Sequence, residues 1–353
     1  MRFSRSLTVL LFLPVAACNG AQGPLDAGPQ TDAGPATDAG SDAGPLLPPG
    51  TSSLILADAG LDAGLSLPPG TSALALNLGP LPVTAGNQIV YCNYMHLANE
   101  APVEVIGYTS FQTVGGHHLI LTLNNTDHPD STQPWVCGQN EAIDPRNGAM
   151  LYVSQLLTDA QIFPPGVGMT LPPHASVMFQ VHYIDATASD LEVSSGITLY
   201  VGAPGAVTTQ AAPLILYDKT LLVPPGMSSA TANCTVQTPA PMEIFMLAGH
   251  MHSHGTNFTL NYTGLDGGTS QIYQTGSWDS PTEKIFRPPL LAPPGSNFSW
   301  TCDYQNDTTS TISQPNEMCV VLGNYYPATQ GSLFCEASFL GCVCSNGTYP
   351  DAG

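Results

Sequence analysis

Pro-Pro-Gly stops the chain at 164–166, 224–226 and 293–295. Proline fixes φ and lacks an N–H, and the following glycine supplies the turn, so these triplets punctuate regular structure. Between and around them lie short runs with apolar alternation, at 88–94, 118–123, 176–183, 196–201, 213–217, 244–247, 257–262 and 318–322. Alternation over a few residues is the mark of a half-buried strand. Such spacing suits antiparallel sandwiches or barrels rather than strand–helix–strand units. Charge supports this. Only 9% of residues are charged, against roughly 25% in ordinary soluble chains. So few Lys, Arg and Glu leave little with which to cover long surface helices.

The first residues read as an address. Arg2 and Arg5 form a charged start and 7–14 a short apolar core. The segment ends Val15-Ala16-Ala17-Cys18, which resembles a bacterial lipoprotein signal. That resemblance implies a signal peptide over 1–17 and a lipid on Cys18. The alternative is ordinary cleavage near Ala17 that leaves Cys18 free. Residues 18–85 are expected to be a disordered tether. Asp-Ala-Gly recurs six times between 26 and 64, and Leu-Pro-Pro-Gly-Thr-Ser stands at 47–52 and again at 67–72. Small, acidic, Pro-spaced repeats bury too little apolar surface to offset chain entropy.

A boundary is expected near 203–212, where Gly, Pro, Ala and Gln cluster. It divides the folded region into 86–205 and 206–350, each of ordinary domain size. Six Lys+Arg against 26 Asp+Glu give a net charge of −20, so no nucleic-acid partner is expected. Beyond the N-terminus no apolar stretch approaches the ~20 residues of a membrane span. Membrane contact is expected only through the N-terminal lipid, on the periplasmic face or outer surface of a bacterial envelope. Nine Cys point to an oxidising compartment. Lipidation of Cys18 would leave an even number for disulfides.

Chemistry concentrates in histidines. Gly115-Gly116-His117-His118 offers a neighbouring pair. Adjacent strand residues face opposite ways, so one ion reaches both only across a bend or bulge, which the glycines permit. Gln180-Val181-His182-Tyr183 places Gln180 and His182 on one strand face. Gly249-His250-Met251-His252-Ser253-His254-Gly255, read as a strand, puts three imidazoles on one face. Asn316-Glu317-Met318-Cys319 adds a thioether. Imidazole suits zinc, copper, iron or nickel, and a soft sulfur selects copper, above all Cu(I). Taken singly, a strand histidine or methionine is more often a structural residue.

In order, His-His, Gln-x-His-Tyr, His-Met-His-x-x-Gly and Glu-Met-Cys resemble the copper type II, ascorbate-dependent monooxygenases, among them the peptidylglycine α-hydroxylating and dopamine β-monooxygenases. The resemblance spans residues 89–326. It implies an all-β chain of two consecutive antiparallel, jelly-roll-like β-sandwich domains, with one copper each and a solvent cleft between them. His117, His118 and His182 would hold an electron-transfer copper. His250, His252 and Met318 would hold the oxygen-binding copper and form the catalytic group. His254 is either outside the ligand set or an alternative ligand. His96, His128 and His174 match no motif. Cys302 and Cys319 resemble the pair that anchors the Met-bearing strand in the family, and Cys92 and Cys137 would clamp the first domain. Cys234 would join Cys335, Cys342 or Cys344.

The implied activity is hydroxylation of a C–H bond with O2 and ascorbate or another one-electron reductant. The substrate is an unknown small or peptide-like molecule. Peptide-amidating members carry an Arg two residues before the first His of His-x-His and a Tyr four after the Met. Ala248 and Leu322 stand there, which argues against a C-terminal peptide. The competing reading is a lipoprotein that binds or stores copper without turnover.

Overall fold

The structure, a computed structural model, describes residues 51–55, 65–329, 331–339 and 341–347. The signal peptide, Cys18 and the Asp-Ala-Gly repeats lie outside the described residues. Within them every regular element is a strand, as the alternating runs and the shortage of helix-covering charges require.

The first sandwich has a seven-stranded outer sheet. Its order is Thr51–Ile55, Ser72–Val83, Leu191–Val201, Val103–Gln112, Val167–Leu171 and Thr209–Gln210, with Thr158–Ile162 also on Val103–Gln112. Its inner sheet runs Trp135–Val136, Gln88–His96, Ser176–Ile184, Gly116–Asn124 and Gly148–Ser154. In the second sandwich the inner sheet runs Lys284–Ala292, Met242–His250, Val320–Tyr326, Ala212–Asp218, Ser332–Ser338 and Gly341–Gly347. The outer sheet there runs Gly226–Thr235, Asn297–Asn306, Gly255–Thr263 and Thr269–Thr275. Pairing is antiparallel apart from Thr209–Gln210 on Val167–Leu171 and Ala212–Asp218 on Ser332–Ser338.

The first sandwich begins earlier than expected. Ser72–Val83, assigned above to the tether, lies between two partners in the outer sheet, with Leu74, Leu76 and Leu78 buried. The tandem Leu-Pro-Pro-Gly-Thr-Ser explains the difference. Each copy leads into a strand, and the two strands pair in antiparallel register from Thr51↔Asn77 to Ile55↔Ala73. The second copy closes a turn, with the Thr71 N–H on the Pro68 carbonyl, and both copies run into sheet strands.

Alternation assigns the layers. Along Ser176–Ile184, Val177, Phe179, Val181 and Tyr183 enter the core of the first sandwich. Met178, Gln180 and His182 face the other way. In the second sandwich Leu214, Leu216 and Val321 enter its own core, while Ile215, Tyr217, Val320 and Leu322 face outward. These outward faces meet. Ile120, Met150 and Met178 pack on Ile215, Tyr217, Met318, Val320 and Leu322. Each large apolar side chain buried here contributes about 1.5–3 kcal/mol. The two inner sheets are therefore back to back, and both sandwiches belong to one compact unit.

Four disulfides hold the layers. Cys92–Cys137 and Cys302–Cys319 form as the resemblance implied. Cys234 takes Cys342, which leaves Cys335 to pair with Cys344 across neighbouring strands.

Candidate metal centre

The histidines gather at one end of the sheet-to-sheet junction. Gly115, at φ +92°, turns the chain into Gly116–Asn124. The register along Ser176–Ile184 pairs His182 with His118 and then Tyr183 with Gly116, so His117 is an extra, bulged residue. A bulge of this kind lets neighbouring side chains face one side. The ring centroids of His117 and His118 are 5.1 Å apart, and each lies within 5.1 Å of His182.

The second sandwich supplies His250 and His252 differently from the expected three-histidine strand. The strand ends at His250, and residues 251–254 form a turn closed by the Gly255 N–H on the His252 carbonyl. Met251 enters the second core. Glu317 holds this turn: its fully buried carboxylate accepts the N–H groups of His252 at 2.6 Å, His254 at 3.1 Å and Met318 at 3.0 Å. His252 returns to the junction, with its ring 5.1 Å from His250. His254 stays outside the cluster, its Nδ1 3.5 Å from Glu317.

No solvent cleft separates the two expected sites. His117 lies 5.5 Å from His250 and 5.4 Å from His252 by ring centroids, and His118 lies 5.8 Å from His250. One ligand atom of His117 groups with those of His118 and His182, and also with those of His250 and His252, within 4.8 Å. The apolar packing between the inner sheets closes the gap and makes one five-histidine cluster. All five are buried, with exposures of 3% (His117), 8% (His118), 1% (His182), 7% (His250) and 8% (His252).

The cluster is neutral and under-bonded. Burial, and then the neighbouring imidazoles, hold His117, His118 and His250 well below the usual histidine range. Burial pushes His182 down to about 3 and lowers His252. Nε2 of His117, both ring nitrogens of His118, Nδ1 of His182 and Nε2 of His252 are buried without a hydrogen-bond partner. Such groups are costly unless something else takes their lone pairs. The opposite nitrogens of His182 and His252 are held, and so is Nδ1 of His250. Gln155 Oε1 lies 2.5 Å from His250 Nδ1, Gln88 Oε1 lies 3.1 Å from His182 Nε2, and the Asn316 carbonyl lies 3.2 Å from His252 Nδ1. A held second nitrogen of this kind is what a metal-ligating imidazole needs.

Met318 joins the cluster through a cavity of ≈ 50 Å³ that also borders His118, His250 and His252. Its backbone carbonyl accepts the Tyr304 hydroxyl at 2.8 Å, and the next carbonyl, of Cys319, accepts Trp300 Nε1 at 3.1 Å. With the Cys302–Cys319 disulfide these contacts fix the Met-bearing segment. Ile120, Met150, Ile215, Val320, Leu322 and Phe334 make the cavity wall largely apolar.

Gln155, Glu317 as a turn-holding carboxylate, and Trp278, whose ring lies 5.7 Å from His117, were not read as site residues in the sequence. No spacing signals Gln155 or Trp278. Glu317 was visible only as part of the Glu-Met-Cys motif. The three unmatched histidines lie elsewhere: His96 contacts Asp127 and Asp130, His128 stacks on Tyr94, and His174 contacts Glu100.

No family model and no curated protein matches the sequence. Among solved structures, the chain is similar to a triple jelly-roll turret protein of an archaeal virus, at 10% identity and TM-score 0.23. That match covers 72% of this chain and 55% of the viral one, so the chain spans little more than half of that relative's length. It is also similar to the PBSX exported protein XepA, at 8% identity and TM-score 0.19, over 71% of this chain and 85% of that one.

Proposed function

We propose that this chain is a copper-dependent monooxygenase held at a bacterial cell envelope by a lipid on Cys18. The observation that carries the reading is the convergence of five buried, neutral imidazoles, four of them with an unpartnered ring nitrogen, beside the Met318 thioether. An all-imidazole set with one soft sulfur suits copper better than the hard, oxygen-seeking cations. His117, His118 and His182 would hold one ion, and His250, His252 and Met318 a second. Bound copper supplies one-electron redox chemistry and dioxygen activation.

The balance is that of a monooxygenase: R–H, O2, two electrons and two protons give R–OH and water. Ascorbate or another external one-electron donor supplies the electrons. The chain's own residues prepare the site. Gln155, Gln88 and the Asn316 carbonyl fix ring orientation and leave the opposite nitrogens for the metal. Glu317 sets the His252 turn and the start of the Met318 segment together. The apolar wall of Ile120, Ile215, Val320 and Leu322 keeps bulk water from the Met318 side. The substrate is an unknown small or peptide-like molecule with a C–H bond to offer.

A second reading, a copper-binding or storage lipoprotein without turnover, is favoured by the tightness of the same cluster, whose cavity is only ≈ 50 Å³. Copper stoichiometry does not separate the two. The copper-loaded protein, reduced without oxygen and then exposed to it, should consume ascorbate faster with a hydroxylatable substrate present. Copper retention that depends on Met318, with no substrate-dependent oxygen use across a panel of substrates, decides for storage. Failure to bind copper at all removes both readings.

A further inference from the structure

A second cavity, of ≈ 660 Å³, opens where the edges of the two sandwiches meet, and it shares no lining residue with the histidine cavity. This volume is that of an ordinary small-molecule pocket. Phe163 from the first sandwich and Phe245, Phe286 and Tyr326 from the second provide aromatic walls. Phe163 and Phe245 meet edge to face at 5.3 Å, and Phe245 and Tyr326 lie 6.0 Å apart.

Two polar side chains of this cavity, Gln161 and Arg287, offer donors. Gln161, only 5% exposed, lines it, and its Nε2 is buried with no hydrogen-bond partner while its Oε1 accepts from Asn324 at 3.4 Å. Arg287 lines the same cavity. The charge pattern is unusual for a chain with 26 acids and six basic residues. Among the described residues Arg146 pairs with Asp144 and Lys219 with Glu336. The two remaining cations, Lys284 and Arg287, pair with no carboxylate, and both lie on Lys284–Ala292. Lys284 Nζ sits 5.8 Å from the centre of the Phe286 ring. The acid tied to the wall, Glu243, already accepts the Tyr326 hydroxyl at 2.9 Å.

We propose that this cavity binds an apolar monocarboxylate, its body against the aromatic walls and its carboxylate taken by Arg287 and the free Gln161 amide. Lys284, on the same strand as Arg287, adds to the positive field. The site stands independently of the copper reading, since none of its residues belongs to the histidine cluster.

Calorimetric titration of the purified full chain with decanoate, decanol and decylammonium tests the assignment. Decanoate should bind about tenfold or more tighter than decanol, the increment of a charge-assisted contact, and decylammonium should bind weakest. Arg287 is exposed, so Arg287→Gln should leave the fold intact, weaken decanoate by about tenfold and leave decanol unchanged. Ala160→Trp, at an exposed lining position, should fill the cavity and abolish binding of both. Equal affinity for decanoate and decanol overturns the proposal, as does decanoate binding that Arg287→Gln leaves unweakened or that survives Ala160→Trp.

Discussion

Gln155 of the first sandwich holds His250 of the second: its Oε1 lies 2.5 Å from Nδ1, and its Nε2 donates to the Gly249 carbonyl at 3.2 Å. One buried amide therefore both joins the sandwiches and fixes the His250 tautomer, with the proton on Nδ1 and the lone pair on Nε2. Gln155→Leu should lower Cu(I) affinity about 10–100-fold, the usual loss for a residue supporting a ligand. It should also destabilise the fold by about 1–3 kcal/mol by stranding buried polar groups. Gln155→Glu keeps an acceptor for Nδ1 and should retain most of the affinity. Competition against a Cu(I) chelator, with thermal melts alongside, measures both effects. Unchanged affinity in Gln155→Leu would remove the positioning role.

Glu317 ties the two motifs of the second sandwich together, because one buried carboxylate serves His252, His254 and Met318. Glu317→Ala leaves three inward N–H groups without their acceptor and should cost roughly 3 kcal/mol or more. Glu317→Gln keeps one acceptor oxygen and should cost less. Denaturant melts of the metal-free protein check the order. Copper titration of whatever remains folded should show losses at the His252 and Met318 ligands before those of His182, whose strand Glu317 does not touch.

The strands were legible because their alternation is a local property. Val177, Phe179, Val181 and Tyr183 announce a core face within one run of residues. The bulge at His117 was legible as a requirement, since two adjacent histidines reach one point only across a distortion. The turn at His252 was not. His-x-His alternation reads as a strand, and only a carboxylate 65 residues away, Glu317, shows that the chain leaves the sheet there. Gln155 was invisible for the same reason: its partner lies 95 residues away, in the other sandwich. The closed gap between the two histidine groups follows from how two sheet faces dock, which no single strand records. The early start of the first sandwich was hidden by a repeat whose copies look like linker and run into strands.

Gly115 tests the bulge itself. Its φ of +92° suits glycine, and a Cβ there would lie 3.3 Å from the Ile184 carbonyl oxygen. Gly115→Ala should cost about 1–2 kcal/mol from the left-handed backbone alone. The relief available is movement of the His117 bulge, so copper affinity at His117, His118 and His182 should fall as well. Gly86, also at positive φ but with nothing near its Cβ position, is the control: Gly86→Ala should cost stability without touching copper. Equal copper loss in both variants would sever the link between the Gly115 turn and the site.

Stability of the metal-free protein should fall on both sides of neutrality, for opposite reasons. Burial lowers the five clustered histidines, His182 to about 3. Below the unfolded value of about 6.5 the unfolded chain binds more protons, so stability is lost as pH falls from there towards the folded values. Glu283 behaves in reverse. Burial, with the Asp159 carboxylate second, raises it from 4.5 to about 8. The folded state then holds the extra proton, so its contribution is complete below about 4.5 and is lost as pH rises through 8. Burial raises Asp159 in the same direction, and the Tyr152 hydroxyl donates to it at 2.5 Å. Glu283→Gln is neutral at every pH. It should flatten the fall between about 6.5 and 8 and steepen the acid side between about 4.5 and 6.5, where the two effects oppose each other. Denaturation midpoints from pH 4 to 9 on both proteins measure this. An alkaline fall of equal steepness in Glu283→Gln would place that proton on another group.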